Sequence, residues 1–236
     1  MSTAIRNSQI HLAVHIPSGD VSLEGELIVP VAATGIVIFA HGSGSSRHSP
    51  RNQYVAKTIR QSGIGTLLMD LLTREEERVD AMTCHLRFDI SLLANRLVDA
   101  ARFVSQMAEA AGMRIGFFGA STGAGAALVA AAELGEQVGA VVSRGGRPDL
   151  AGVSLARVKA PTLLIVGGRD QPVIELNQQA YAQLRCKKEL TIVAGATHLF
   201  EEPGTLEEVA YLAAAWFRKH LQAEDCARRP LLAQWR

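Results

Sequence analysis

The chain has 236 residues with 24 Lys+Arg against 23 Asp+Glu, a formal charge of +1. That balance excludes recruitment to nucleic acid or an anionic membrane by bulk electrostatics. With 48% hydrophobic and 20% charged residues the chain can bury a sizeable core, which excludes disorder. Three widely spaced cysteines, Cys84, Cys186 and Cys226, fit neither a disulfide framework nor a zinc site. No apolar run reaches the roughly 18 residues of a membrane span, and the N-terminus shows no leader pattern. The expectation is a cytoplasmic protein that requires no metal or cofactor, acts on a small molecule and engages neither nucleic acid nor membrane; its oligomeric state is not read.

In chain order, Gln9 to Ile16 and Val21 to Val29 alternate partially around Pro17-Ser18-Gly19-Asp20, which predicts an antiparallel hairpin. Short apolar runs follow at Gly35 to Ala40, Gly65 to Met69, Ile115 to Phe118, Val138 to Val142, Thr162 to Val166 and Leu190 to Val193. Each is too short for a core helix and too apolar for a strand with one wet face, so each is predicted to be a parallel strand covered on both sides. Helices alternate with them. Ser49-Pro50 opens one that reaches about Gln61, and Asp89 caps another with Ile90, Leu93, Leu97, Ala101 and Val104 on one buried face. Pro172 starts a third, and Thr205 with Glu208 reads as a capping box for the last, to about His220. The run Thr73 to Asp80 reads as a solvated loop or helix start, with a mobile flap toward Cys84, His85 and Arg87 as its alternative; Cys84 is expected to be a small buried side chain. This alternation predicts an α/β fold: a doubly wound, mostly parallel sheet of about seven to eight strands in a single domain over 1–236, with a C-terminal tail from about 223.

Reactive groups in such a sheet belong at the carboxyl ends of strands. Gly119-Ala120-Ser121-Thr122-Gly123 lies between an apolar strand and a small-residue helix. Alone it could be a glycine-rich helix start. In this setting it fits a nucleophile elbow, whose outer glycines permit the tight turn that exposes the serine. A nucleophilic serine needs a base, and the base needs an acid to fix its tautomer. Asp170 follows one later strand and His198 follows the last, in the order nucleophile, acid, histidine. An oxyanion needs donors, expected from the N–H groups of Thr122 and of Ser43 in the loop His41-Gly42-Ser43-Gly44. That loop lacks the Gly-Lys-Ser/Thr of a P-loop, which leaves phosphate binding as the lesser reading, and a dinucleotide fingerprint at Gly123-Ala124-Gly125 fails because no ribose-binding acid follows the next strand.

These elements, the His-Gly loop at 41 and 42, the elbow, Asp170 and His198 together resemble the α/β-hydrolase superfamily, and the body without a large cap is most similar to its dienelactone-hydrolase-like group. His41 to Asn52, Thr83 to Leu97 and Ser143 to Leu150 resemble hydrolase units that some bacteria fuse to a phosphoribosyltransferase domain. The resemblance implies hydrolysis of an ester, lactone or similar carbonyl compound. Position 121 is serine where dienelactone hydrolases proper carry cysteine, so their lactone is not carried over. The same triad could instead serve an acyltransferase, or the fold could be kept by a non-catalytic binding protein. Arg47, Arg51, Arg144 and Arg147 are expected on the catalytic rim, with His85 a further substrate contact. One or more of these arginines anchors an anionic substrate group, or else Arg144 or Arg147 pairs with Asp149, Asp70 or Glu75 to Glu77 and braces loops.

Overall fold

The computed structural model describes residues 9–222; Cys226 and the tail lie outside them. Eight strands form one sheet in the order β1-β2-β4-β3-β5-β6-β7-β8. β1 (Gln9–Ser18) and β2 (Val21–Pro30) form the expected hairpin, and β2 also runs antiparallel to β4 (Gly65–Met69). The pairings among β4, β3 (Gly35–Ala40), β5 (Arg114–Ala120), β6 (Val138–Arg144), β7 (Thr162–Gly167) and β8 (Lys188–Val193) are all parallel. Crossovers of the parallel strands place helices on both faces. α1 (Pro50–Gln61) and α6 (Thr205–His220) cover one face, and α3 (Ile90–Ser105) and α4 (Thr122–Leu134) the other. α5 (Gln171–Gln183) follows β7.

This double cover explains the continuous apolar runs of β3 to β7; the expectation fails at β8, an edge strand in which Leu190 and Thr191 are half-buried and Ile192 is exposed. Along β3, Ile36, Ile38 and Ala40 join one core cluster while Val37 and Phe39 join the other; β5 splits Phe117 from Phe118 in the same way. All of these side chains are buried, each contributing on the order of 1.5–3 kcal/mol of transfer free energy for the larger ones. β1, at the sheet edge, keeps one wet face and therefore alternates.

Two local expectations are corrected. Gly204, at φ 83°, is the N-cap of α6, and Thr205 is its first residue, with its hydroxyl donating to the Glu202 carbonyl at 2.7 Å. Because glycine can take the left-handed conformation, the chain turns one residue early and the capping box at Thr205 does not form. The capping box lies instead at Thr73 and Glu76, where it starts α2 (Arg74–Thr83), so the acidic run is a helix start. Cys84 ends α2 in the left-handed conformation and is exposed rather than buried. α2 and a 3-10 turn at Leu86–Phe88 are all that the β4–α3 connection carries, and no large cap domain interrupts the described residues. Among them, no helix is long and apolar enough to cross a membrane.

Candidate active site

β5 runs directly into α4 through Ser121, which sits at φ 49° and ψ −122°, a conformation that costs a non-glycine residue on the order of 1–3 kcal/mol. The surroundings hold it there. The Ser121 N–H donates to the Arg144 carbonyl at 3.3 Å, and the Ser121 carbonyl accepts from the N–H groups of Arg147 (3.0 Å) and Ala124 (3.1 Å). The flanking glycines are required by close approach: a Cβ on Gly119 would lie 2.4 Å from the Ala124 Cα, and one on Gly123 would lie 2.3 Å from the Ala40 carbonyl oxygen.

Asp170 and His198 leave the ends of β7 and β8 and meet. The His198 Nδ1 is 2.6 Å from the Asp170 Oδ2. Asp170 occupies the N-cap position of α5, yet its carboxylate makes no cap hydrogen bond, so the histidine contact takes the place of ordinary capping. Aspartate is mostly enclosed, at 13% side-chain exposure, while the imidazole is 39% exposed. A carboxylate on Nδ1 leaves Nε2 as the free basic nitrogen. Gly145, beside Arg144, brings β6 against the histidine loop, since a Cβ there would stand 2.9 Å from the His198 carbonyl oxygen.

On the other side of Ser121, Gly42 packs so closely that a Cβ would meet the Ser121 Cβ at 3.1 Å. The Ser43 N–H donates to the Thr122 hydroxyl at 3.0 Å. The two expected oxyanion donors are therefore neighbours, and one of them is engaged by a side chain in this state. His41 is buried beneath the loop: its Nδ1 contacts the Gly42 carbonyl at 2.9 Å, and its Nε2 accepts the Leu71 N–H at 3.0 Å. Those partners assign the Nδ1–H tautomer. Burial holds the His41 imidazole below its ordinary pKa, against the opposing effects of the Gly42 carbonyl and Asp70. A cavity of about 450 Å³ opens beside this loop, bounded by Gly42–Ser46, Leu71, Leu72, Glu77, Arg87 and Thr122. Burial and nearby Asp70 push the Glu77 carboxyl up.

The rim arginines separate. Arg47 pairs with Asp70 and, at 2.5 Å, with Glu24. Arg147 makes a two-pronged pair with Asp149, at 2.9 and 2.7 Å. Both brace loops. Arg51 reaches Glu201 at 3.3 Å. His85 is exposed and contacts Thr83, so it is not drawn into the cavity. Arg144 is buried, at 7% exposure, and its Nε and Nη1 have no acceptor among the described residues. Sequence reading did not find the supports of this rim. Asp80 ties Arg87 and the N–H groups of Leu86 and Arg87 to the end of α2. Arg96, buried in α3, binds Glu76 at 2.5 and 2.7 Å and the Leu71 carbonyl at 2.6 Å, and this arginine is the main cause of a depressed Glu76 pKa. The available signal was a charged residue three positions after Leu93, on the apolar face of its helix.

The model of the dienelactone hydrolase family matches residues 23–223. Among solved structures, a dienelactone hydrolase from Anabaena variabilis is 58% identical with a TM-score of 0.89, covering 91% of this chain and 99% of that one. A dienelactone hydrolase-like promiscuous phosphotriesterase from metagenomic libraries shares the fold at 15% identity, with a TM-score of 0.73 and coverage of 91% and 99%. A putative phosphoribosyl transferase of Mycobacterium tuberculosis is 61% identical over 208 residues; the match covers 88% of this chain but only 46% of that relative. The chain thus spans about half the length of the curated relatives it matches. With a family match over most of its length and a 58% identical relative covered almost end to end, the chain belongs to the dienelactone hydrolase family.

Proposed function

We propose that the chain is a serine hydrolase that cleaves a small carboxylic ester, lactone or similar carbonyl compound through an acyl-enzyme intermediate. The observation that carries this reading is the spending of the Asp170 carboxylate on His198 Nδ1 at 2.6 Å, on the same sheet rim as a serine held at φ 49°. In this mechanism His198 Nε2 takes the Ser121 hydroxyl proton as Oγ attacks the substrate carbonyl, and Asp170 stabilises the imidazolium that results. The tetrahedral oxyanion accepts from the Thr122 N–H at the start of α4 and from the Ser43 N–H, which turns from the Thr122 hydroxyl as charge develops. His198 then returns the proton to the leaving alcohol. Water, deprotonated by the same imidazole, attacks the acyl group, and collapse of the second tetrahedral species releases the acid and restores Ser121. The cavity beside the His41–Ser46 loop supplies room for the substrate.

Fluorophosphonate labelling followed by peptide mapping tests the assignment. Label is expected on the peptide containing Ser121 and is expected to vanish in Ser121→Ala. Persistent labelling in that variant, or none in the folded native protein, would overturn it.

A further inference from the structure

Among the charged groups around Ser121, Arg144 stands apart in its lack of a counter-charge. Arg47, Arg51, Arg87 and Arg147 each hold a carboxylate, Arg51 through Nη1 on Glu201 at 3.3 Å. Arg144 is more thoroughly buried than any of these by residue exposure, yet neither buried nitrogen, Nε or Nη1, meets an acceptor among the described residues. Its guanidinium lies over the Phe200 ring, with Cζ 6.0 Å from the centroid. That distance is the limit of a cation–π contact, and such a contact offsets on the order of 1 kcal/mol. Removing an unpaired charge from water costs several times as much. Arg51, the neighbouring charge, has the same sign; burial and Arg51 together lower the Arg144 pKa to about 10, which leaves the guanidinium protonated at neutral pH. The Nε of Arg51 is also buried without an acceptor.

The position of Arg144 ties this charge to the reaction centre. Its carbonyl accepts the Ser121 N–H, and the next residue, Gly145, abuts the His198 loop. Val142 and Ala140 belong to the same core cluster as Phe200, on the α1 face of the sheet. Alternation along β6 sends the Arg144 side chain to that face as well, toward Arg51 in the first turn of α1. We propose that Arg144, with Arg51, forms an anion subsite beside Ser121 that receives a carboxylate or phosphate group carried by the substrate. This subsite gives the hydrolase of the preceding section a preference for anionic esters, and in that respect it rests on that reading. A guanidinium suits either group because its planar fork matches two oxygens. The bound anion supplies the counter-charge that the fold withholds.

The test compares kcat/KM for p-nitrophenyl butyrate, the p-nitrophenyl half-ester of succinate and p-nitrophenyl 3-phosphonopropionate in the native protein, Arg144→Met and Arg51→Gln. The native protein is expected to favour an anionic ester, and whichever of the carboxylate and phosphonate substrates leads identifies the group. In Arg144→Met the ratio of anionic to neutral kcat/KM is expected to fall by about tenfold or more, the worth of a charge-assisted hydrogen bond, with a smaller fall in Arg51→Gln. An equal loss on neutral and anionic esters would show a loop brace and overturn the subsite. A second measurement separates this proposal from the triad: inorganic phosphate and succinate should raise the Tm of Ser121→Ala and should not raise that of Ser121→Ala/Arg51→Gln to the same extent. Absence of esterase activity and of fluorophosphonate labelling would remove the hydrolytic reading while the Tm shift still reports the subsite; absence of that shift together with no anionic preference would remove the subsite.

Discussion

The two flanks of Ser121 differ in how completely they pair their charges. On the flank built by α2 and α3, every arginine named above has a carboxylate. Arg96 is matched to Glu76, Arg87 to Asp80 and Arg47 to Asp70 and Glu24. On the flank built by β6, β8 and the start of α1, Arg51 and Arg147 hold Glu201 and Asp149, but the carboxylate of Asp170 is given to a histidine, and buried Arg144 has no acceptor among the described residues. A charge paired within the fold stabilises the fold. A charge or a histidine left with an open valence at a strand end is available to a ligand or a reaction. The comparison therefore predicts that substitutions of the paired charges lower stability, while those at Asp170 and Arg144 lower turnover.

The largest effect is expected at Asp170. Asp170→Asn should reduce kcat by about 10⁴-fold, because the amide favours the wrong imidazole tautomer, with the Tm changed little. A steady-state assay beside a thermal melt checks it; a parallel loss of stability would place Asp170 with the structural carboxylates of the other flank. Next, Glu76→Gln removes the partner of nearly buried Arg96 and should cost about 3 kcal/mol. Chemical denaturation measures that, and below the transition kcat should remain within a factor of a few.

His41 sharpens the comparison through pH. Its folded pKa is lowered, so the unfolded chain binds the proton more readily, and stability must fall as pH drops below about 6.5, the unfolded imidazole value. The contribution is fully present above that pH and is lost on the way down to the folded pKa. His41→Gln should flatten this part of the stability-versus-pH curve, and an unchanged slope would mean that other groups carry it. The smallest effect belongs to Arg147. Its partly exposed pair with Asp149 should be worth at most about 1 kcal/mol, and Arg147→Ala should lower kcat/KM equally for neutral and anionic esters. A selective loss would move Arg147 to the ligand-binding group.

Legibility followed the range of the interactions. β3 and β4 were readable to the residue, because parallel strands buried on both faces must be continuously apolar. The helix over Ile90–Ser105 was readable from its cap and its apolar period. Ser121, Asp170 and His198 could be singled out because each lies within five residues of the end of a parallel strand, in the order serine, acid, histidine. The start of α6 was misread by one residue, since a capping box and a glycine cap compete within a single turn. The roles of the arginines were unreadable for a different reason. Arg47 meets Glu24 across 23 positions, Arg96 meets Glu76 across 20 and Arg51 meets Glu201 across 150, and neither composition nor period encodes such a meeting.

By itself the sequence determined the alternation of strands and helices and the place of Ser121 in a tight turn between a strand and a helix, because these depend on neighbours in the chain and on strand burial. Only the tertiary structure decided which charges cancel. It closed the arginines of the α2 flank with carboxylates, set the Ser43 N–H against the Thr122 hydroxyl, and left Arg144 buried with no counter-charge, since pairing is governed by distance in space, and distance in space is set by how the crossovers pack.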